Sequence, residues 1–219
     1  MRKLLLLRPE PGLSASAERA RHLGLEVISC PLFRIEPVAW QIPEPSAYDA
    51  LLLTSANAAR HGGPGLASMS ALPVHAVGEA TAAAARTAGL QVDIVGDNDL
   101  SALLAILPAD LRLLHLAGAD HVESDDARID RRIVYRAAEI ADPGLPSLDG
   151  LVVAVHSPRA GARLATLAEG SPSTAIAAIS QAAAEACGAG WERVDVSTKP
   201  NDTSLLALAA MLCHTSAPR

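Results

Sequence analysis

Short apolar runs alternate with alanine-rich segments along almost the whole chain, and this alternation constrains the fold more than any other feature. Strand-like runs are predicted at residues 3–7, 50–53, 74–77, 92–95 and 111–116, and the alternation resumes from residue 151. The intervening segments have the length and composition of helices. Strands that alternate with helices form βαβ units, and right-handed crossovers then favour doubly wound, flavodoxin-like parallel sheets with helices on both faces.

Capping residues indicate where several helices begin and end. Ser14 is a candidate N-cap for a helix that reaches His22, and Asp99 is a candidate N-cap for a helix over residues 100–107. Helices are also predicted at 55–60 and at 79–88, the second of which ends before Gly89.

Two extended stretches interrupt the alternation. Residues 25–38 are rich in β-forming residues but contain Pro31 and Pro37, and proline is tolerated mainly at sheet edges or in connections. Residues 132–140 form a second alternating stretch. We interpret the two as paired strands through which the chain passes from one domain to another.

An internal repeat supports two similar domains. Three segments recur in the same order about one hundred residues later, beginning at Asp49 and Asp149, at Ala76 and Ala178, and at Asp99 and Asp202. The alternative is chance similarity between alanine-rich α/β sequences. Because strand ends and helix starts coincide as well as alanines, we favour the repeat.

Composition excludes several classes of protein. Half of the 219 residues are hydrophobic, 18 are basic and 24 acidic, and the net charge of −6 argues against an extended nucleic-acid surface. Only five residues are aromatic, so stacking platforms for bases are scarce. The apolar runs are shorter than a membrane span, and three scattered cysteines without a CxxC pattern indicate neither disulfides nor zinc. We expect a soluble cytoplasmic protein.

Small and hydroxyl-bearing residues recur where strands end and helices begin. In open α/β sheets ligands bind at this edge, and helix N-termini favour anions. A ligand with several carboxylates or phosphates fits this pattern, although each Ser or Thr alone is more simply an N-cap. The candidates are Arg8, Thr54, Ser55, Gly78, Glu79, Ala80, Thr81, Gly118, Ser157, Pro158, Ser180 and Gln181.

Known catalytic motifs are missing, and most histidines suggest structural roles. The sequence has no P-loop, no GxGxxG and no GxSxG pattern. His75 and His115 lie in apolar strands and are expected to be structural, whereas His156 beside Ser157 could face a ligand. The remaining cluster, His121 with Glu123, Asp125 and Asp126, matches no metal-binding spacing, so a solvated acidic loop is the preferred interpretation.

Tyr135 is one of two tyrosines and lies in the second extended stretch. Its phenol could present an O–H group to a cleft as a hydrogen-bond donor or weak acid. The alternative is a tyrosine that packs beside the connection with its hydroxyl in water.

Together these motifs resemble the uroporphyrinogen-III synthase family. The resemblance rests on six ordered segments that span nearly the whole chain, namely LLLRP at residues 5–9, YDALLLTSANA at 48–58, AVGEATA at 76–82, VYR at 134–136, VHSPRA at 155–160 and AIS at 178–180. It implies two flavodoxin-like domains joined by a two-stranded linker. The first would comprise residues 1–35 with 141–219, and the second residues 36–140.

The resemblance also implies a reaction. The family closes hydroxymethylbilane, a linear tetrapyrrole with eight carboxylates, with loss of water and inversion of ring D, and uses neither metal nor cofactor. It implies catalytic roles for Tyr135, which would help the terminal hydroxyl to leave, and for Thr81. The implied substrate-binding residues are Arg8, Thr54, Ser55, Asn57, Gly78, Glu79, Ala80, Gly118, Ser157, Pro158, Ser180 and Gln181.

The chain departs from the family pattern in two places. Residues 119–129 are short and acidic where the family commonly carries a longer helical segment, and Ala183 stands where some members have threonine. Arginines that could pair with substrate carboxylates are Arg8, Arg60, Arg136 and Arg159, although exposed arginines at helix starts are usually only solvated.

Three functional hypotheses follow. The preferred one is a monomeric enzyme that cyclises hydroxymethylbilane received from the preceding enzyme of the pathway. The second is a non-catalytic two-domain protein that binds an anionic small molecule. Charge and the scarcity of aromatic residues disfavour the third, a nucleic-acid-binding module.

Overall fold

Two mainly parallel β-sheets organise the chain in the computed structural model, which describes residues 1–97, 99–121 and 123–215. The strands are β1 (Leu4–Leu6), β2 (Val27–Ser29), β3 (Phe33–Pro37), β4 (Ala50–Leu53), β5 (Val74–Val77), β6 (Val92–Gly96), β7 (Leu113–Gly118), β8 (Ile129–Glu139), β9 (Val152–Val155), β10 (Ala175–Ala178) and β11 (Arg193–Val196). The α/β class with parallel-sheet units, predicted from the alternating sequence, is confirmed.

Helices connect most of the strands. They are α1 (Gly12–His22), α2 (Ala56–His61), α3 (Pro64–Ser68), α4 (Glu79–Thr87), α5 (Leu100–Ile106), α6 (Pro158–Leu167), α7 (Gln181–Ala186) and α8 (Asp202–His214), with a short 3₁₀ turn at Pro45–Ala47. In the part of the chain that the structure describes, no helix is long and apolar enough to cross a membrane.

The chain divides into two compact units. Unit 1 comprises Met1–Arg34 and Glu139–Arg219, and unit 2 comprises Ile35–Ala138. The sheet of unit 1 has the order β11-β10-β9-β1-β2, and the other sheet has the order β3-β8-β7-β4-β5-β6. Apart from β3, the two sheets have the same spatial order, because β9-β10-β11 corresponds to β4-β5-β6 and β1-β2 corresponds to β7-β8. The sequence repeat coincides with these corresponding elements.

The strands β3 and β8 both run across the boundary between the units. Val38 donates its N–H to the carbonyl of Val134, and Ile140 donates its N–H to the carbonyl of Leu32. Residue numbers therefore increase along one strand in the direction in which they decrease along the other. β3 and β8 are therefore antiparallel neighbours, a direction that the sequence did not predict. The first extended stretch was predicted to begin too early, at residue 25. Val27–Ser29 forms a separate strand of unit 1 that pairs in parallel with β1.

Helix boundaries follow local capping chemistry, with one correction. Asp99 caps α5 as predicted, because its Oδ1 accepts hydrogen bonds from the N–H groups of Ser101 and Ala102. Ser14 was wrongly predicted as the N-cap of α1. The helix already begins at Gly12, and the Glu10 carboxylate accepts bonds from both the N–H and the hydroxyl of Ser14.

The two faces of the unit 2 sheet are covered unequally. Leu51, Leu53, Leu114 and Leu116 pack with α2 and α4 on one face. Alternate strand residues such as Leu52 and Leu113 pack on the other face against Leu103 and Leu104 of α5. Parallel neighbours are usually joined by a helix that covers the sheet. Between β7 and β8 the described residues form turns and irregular structure, without a helix, which agrees with the reduced segment predicted at 119–129.

Candidate active site

A cavity of about 570 Å³ opens in unit 2 at the carboxyl ends of β4, β5 and β7. It lies at the sheet edge where ligands bind in open α/β proteins, and its volume falls in the range of about 300–1,000 Å³ that is usual for small-molecule sites. Among the described residues, its lining comprises Thr54, Ser55, Val77, Asp99, Leu100, Ser101, His115, Gly118, Asp120, His121, Glu123, Ser124 and Tyr135. Four of these, Thr54, Ser55, Gly118 and Tyr135, were predicted site residues.

Tyr135 reaches the cavity because the pairing of β7 with β8 is irregular. Ala117 pairs with Ile133, but the next residue, Gly118, pairs with Tyr135, so Val134 is an extra residue on β8. Such irregularities re-aim side chains near functional sites. A Cβ atom at position 118 would lie 2.5 Å from Cζ of Tyr135 and 2.8 Å from its phenolic oxygen. The tyrosine ring therefore occupies the space that the glycine leaves open.

Three polar side chains form a continuous hydrogen-bonded row across neighbouring strands. Nε2 of His115 lies 3.0 Å from Oγ1 of Thr54, and Nε of Arg131 donates to Nδ1 of His115 at 3.4 Å. His115 on β7 is directly paired with Arg131 on β8, while Thr54 follows β4. The three side chains lie on the same face of the sheet as α5. That helix covers this face nearer the amino ends of the strands.

His115 is almost completely buried, with 1% of its surface exposed. Burial, with smaller electrostatic effects of Arg131 and His121, lowers the pKa of its imidazole to about 4. The prediction that His115 is only structural missed its position on the cavity wall. The apolar sequence around His115 does not indicate this position. The hydrogen-bonded row depends on strand register, which residue spacing alone does not specify.

Charged residues surround the outer side of the cavity. His121 donates Nδ1–H to the carbonyl of Gly118 at 2.9 Å, and its Nε2 lies 3.1 Å from the Glu123 carboxylate. Glu123 also forms an ion pair with Arg131 at 2.7 Å. Asp99, Asp120 and Glu123 line the cavity. Within the described lining there is no lysine or arginine, so the charged side chains around this cavity are mainly acidic.

The acidic segment contains pairs of opposite charge. Asp126 binds the guanidinium of Arg128 at 2.6 Å, and this interaction lowers the pKa of Asp126 to about 2. In residues 1–97, 99–121 and 123–215, no group of three or more His, Cys, Asp or Glu side chains could hold a metal ion.

The predicted motif at the start of α4 lies mostly outside the cavity lining. Gly78 precedes the helix with a φ of +86°, a conformation that favours glycine, while Glu79 pairs with Arg86 at 2.6 Å. Ala80 lines a separate shallow groove between α2 and α4. The side chain of Thr81 is buried in the first turn of the helix. Catalysis by Thr81 stays a prediction.

The predicted residues that follow β4 have different local roles. Ser55 caps α2 by accepting a hydrogen bond from the N–H of Asn57 at 3.2 Å, and it also lines the cavity. Asn57 lies within α2, and its side-chain oxygen is buried with no hydrogen-bond partner among the described residues.

In unit 1, Arg8 belongs to a network centred on Asp202. The Asp202 carboxylate contacts the guanidinium of Arg8 at 3.1 Å, Arg19 at 2.7 Å, Nε2 of His156 at 2.7 Å and the hydroxyl of Ser16 at 2.6 Å. Burial alone would raise the pKa of Asp202, but the hydrogen bonds from His156, Ser16 and Arg19 hold it well below its usual range. Burial lowers the pKa of His156.

The other unit 1 candidates act as caps or pair locally. Ser157 accepts a bond from the N–H of Ala160 at the start of α6, where Pro158 is the first helical residue, and Ser180 caps α7 in the same way. Gln181 bonds Glu185 at 3.0 Å.

The remaining candidate arginines lie outside the lining of the unit 2 cavity. Arg136 pairs with Glu36, Arg159 lies 4.7 Å above the ring of Phe33, and Arg60 lines the groove between α2 and α4.

Comparison with known proteins gives the family. A family profile described as uroporphyrinogen-III synthase HemD matches residues 14–207, which is most of the chain. The chain belongs to the uroporphyrinogen-III synthase family. It is therefore a cyclising lyase of tetrapyrrole biosynthesis that acts on hydroxymethylbilane. The resemblance predicted from the ordered motifs is confirmed.

Solved structures show the same fold. Uroporphyrinogen-III synthetase from Helicobacter pylori aligns with a TM-score of 0.70 and 16% identity, over 97% of this chain and 100% of that chain. A mutant uroporphyrinogen III synthase from the extremely thermophilic bacterium Thermus thermophilus aligns with a TM-score of 0.50 and 17% identity, over 96% of this chain and 99% of that one. The search among curated proteins gave no significant match.

Proposed function

We propose that the unit 2 cavity is the place where this uroporphyrinogen-III synthase family member ionises hydroxymethylbilane, with Tyr135 as the donor to the departing oxygen. The observation that carries this proposal is the position of the phenol. The irregular pairing of β7 with β8 and the absent side chain of Gly118 hold it on the wall of a cavity. A phenol is a suitable group because it can donate a proton to a leaving hydroxyl.

The reaction then needs little from the protein beyond orientation and one proton. The C–O bond of the hydroxymethyl group breaks, and the oxygen leaves as water with the proton of Tyr135. The pyrrole nitrogen stabilises the resulting cation. The substituted α-carbon of ring D attacks that cation, and the older bond from this carbon to the methylene bridge of ring C then breaks. The freed methylene carbon is attacked by the other α-carbon of ring D, which inverts the ring. The proton lost from that carbon as the macrocycle forms restores the phenol. Holding both ends of a flexible chain together supplies much of the acceleration, since effective molarities of about 10⁵ M and upward are possible.

The acidic lining is better suited to bind the cationic intermediate than to bind the negatively charged carboxylates of the substrate. Asp99, Asp120 and Glu123 line the cavity, and negative charge near a developing cation stabilises the transition state. We infer that this cavity holds the reacting end of the tetrapyrrole, while its carboxylate side chains contact other parts of the protein.

Several predicted residues remain proposals for binding the substrate. In unit 2 they are Thr54, Ser55, Asn57, Gly78, Glu79 and Ala80, with a catalytic contribution from Thr81. In unit 1 the set at the strand ends is Arg8, Ser157, Pro158, Ser180 and Gln181. Backbone N–H groups at helix starts and the guanidinium of Arg8 support this proposal, because both favour anions.

At the level of the fold, we propose two flavodoxin-like domains, residues 1–35 with 141–219 and residues 36–140, joined by a two-stranded linker. The sheet of unit 1 follows the chain order 2-1-3-4-5, which is the flavodoxin order. The shared spatial order of the second sheet supports a common origin of the two. We further propose a cytoplasmic monomer that receives hydroxymethylbilane from the preceding enzyme.

Product analysis tests the proposed function. The protein is incubated with enzymatically made hydroxymethylbilane, and the oxidised porphyrin isomers are separated. We expect the type III isomer to predominate. Only type I, the isomer that forms without the enzyme, would reject catalysis, and tight binding of hydroxymethylbilane without type III product would select the non-catalytic binding protein instead.

A further inference from the structure

The row formed by Arg131, His115 and Thr54 has a defined direction. We propose that His115 is a positioning residue that holds the Thr54 hydroxyl as a hydrogen-bond donor toward a substrate oxygen in the cavity. The proposal rests on the proposed function, because it assumes that the unit 2 cavity receives the substrate. It assigns a role to a buried histidine that the mechanism above leaves unused.

The direction follows from what each group can donate. A guanidinium has only N–H donors, so Nδ1 of His115 must accept the hydrogen bond from Nε of Arg131. A neutral imidazole that accepts at one nitrogen carries its proton on the other. Nε2 of His115 therefore donates to Oγ1 of Thr54, 3.0 Å away.

Thr54 is left with a hydroxyl proton to donate. Its oxygen accepts from His115, and among the described residues no protein acceptor is found for the proton of that hydroxyl. Thr54 lines the cavity together with His115 and Tyr135. An oxygen of the substrate, on a carboxylate or on the departing hydroxymethyl group, is the acceptor that would complete the row.

The surroundings keep this arrangement in one protonation state. His115 is 1% exposed, and the ionisable groups that influence it electrostatically are Arg131 on β8 and His121 in the following loop. Both the burial and the adjacent guanidinium oppose a second proton on the imidazole. The ion pair of Arg131 with Glu123 at 2.7 Å also fixes the guanidinium that starts the row.

The first test reads the tautomer directly and does not depend on activity. Long-range ¹H–¹⁵N spectra of histidine-labelled protein distinguish the two neutral tautomers and the imidazolium, and the His115 signals are assigned by their loss in His115→Gln. We expect the Nε2–H form throughout the neutral range. An Nδ1–H tautomer, or an imidazolium at pH 7, would overturn the proposal.

The second test measures whether His115 acts through Thr54. The turnover number for type III product is compared in Thr54→Val, His115→Leu and the double variant. We expect each single change to lower kcat by about tenfold or more, which is the scale of one positioned hydrogen-bond donor. The double variant should be no slower than the slower single variant, because removing one end of a row already removes its function.

A conservative variant separates positioning from packing. Gln at position 115 can place an N–H near the position of Nε2, so His115→Gln should keep kcat within about threefold of the wild type, since its donor to Thr54 remains. Independent effects that multiply in the double variant would overturn the proposal, as would an unchanged kcat in Thr54→Val. If the wild type makes no type III product, the proposed function fails, while the tautomer measurement still decides the direction of the row.

Discussion

The ring of Tyr135 occupies the space beside Gly118 that any other residue would fill with its Cβ atom. That atom would lie 2.5 Å from Cζ of Tyr135, which is far inside van der Waals contact. Because a tyrosine ring can swing aside, the conflict would displace the phenol before it disrupted the sheet. Position 118 therefore controls where the phenol lies in the cavity.

Gly118→Ala should separate activity from stability. We expect kcat to fall by between about 10-fold and 100-fold, because a displacement of about 1 Å at a reacting group has an effect of this size. The free energy of unfolding, measured by urea titration, should change by less than about 1 kcal/mol, since the side chain that moves is at the cavity wall. A wild-type kcat would show that the phenol need not stay at this position.

Tyr135→Phe removes the proposed donor and keeps the ring. Turnover should fall by about 10²-fold or more, with little change in KM, because general acid catalysis contributes about 10²–10⁴-fold to the chemical step. Tyr48 is the matched control, since it is the other tyrosine and bonds Asp130 outside the cavity lining. Tyr48→Phe should leave kcat unchanged, and an equal loss in both variants would remove Tyr135 from the mechanism.

The buried His115 should make stability depend on pH. Its pKa is about 4 in the folded protein and about 6.5 when unfolded, so the unfolded state binds more protons between these values. Stability from this group is complete above pH 6.5 and is lost as the pH falls toward 4. Between pH 7 and pH 5 the loss should be about 2 kcal/mol.

Urea titrations of wild type and His115→Gln at both pH values isolate that contribution from the other histidines. The wild type should lose more stability on acidification than the variant. Equal losses would mean that His115 titrates normally in the folded protein.

Asp202 should be a sensitive charged position in unit 1. Its carboxylate is 16% exposed and joins Arg8, Arg19, His156 and Ser16. Asp202→Asn leaves partly buried cations without their counter-charge, so we expect a loss of about 3 kcal/mol in the free energy of unfolding.

The exposed Lys3–Glu26 pair of the same unit provides the comparison for Asp202. Its side chains are 56% and 65% exposed, and Glu26→Gln should cost at most about 0.5 kcal/mol. Thermal or urea unfolding of both variants checks the contrast. Similar small effects would mean that the Asp202 network contributes little to stability.

Local sequence signals predicted most elements of the fold. The strands Ala50–Leu53 and Val74–Val77 coincide with their predicted bounds, and Asp99 caps α5 as its position indicated. The start of α1 was misjudged because the helix begins at Gly12, before Ser14, and the Glu10 carboxylate accepts hydrogen bonds from both the N–H and the hydroxyl of Ser14. Residues 25–38 were misjudged because periodicity does not tell which sheet a short strand will join.

The site could be predicted only where a motif or the end of a predicted strand indicates it. Thr54, Ser55 and Tyr135 belong to ordered motifs, Gly118 follows the strand predicted at 111–116, and all four line the cavity. His115 was missed because its partners come from β4 and β8 through strand register.

Other lining residues were missed for related reasons. Asp99 and Ser101 begin α5, Val77 ends β5, and Asp120 and Ser124 lie in the acidic segment between β7 and β8. Their convergence depends on which strands are neighbours, and residue spacing does not specify this.

Filling the cavity is the most direct measurement of whether it holds the reacting substrate. Ser101 lines it from the first turn of α5, whereas Ala102 is exposed on the same helix outside the lining. In Ser101→Trp the rate of type III product formation should fall at least about tenfold, and in Ala102→Trp it should stay within about twofold of the wild type, because only the first indole would occupy the binding volume. A wild-type rate in a folded Ser101→Trp protein would contradict the assignment of this cavity as the active site.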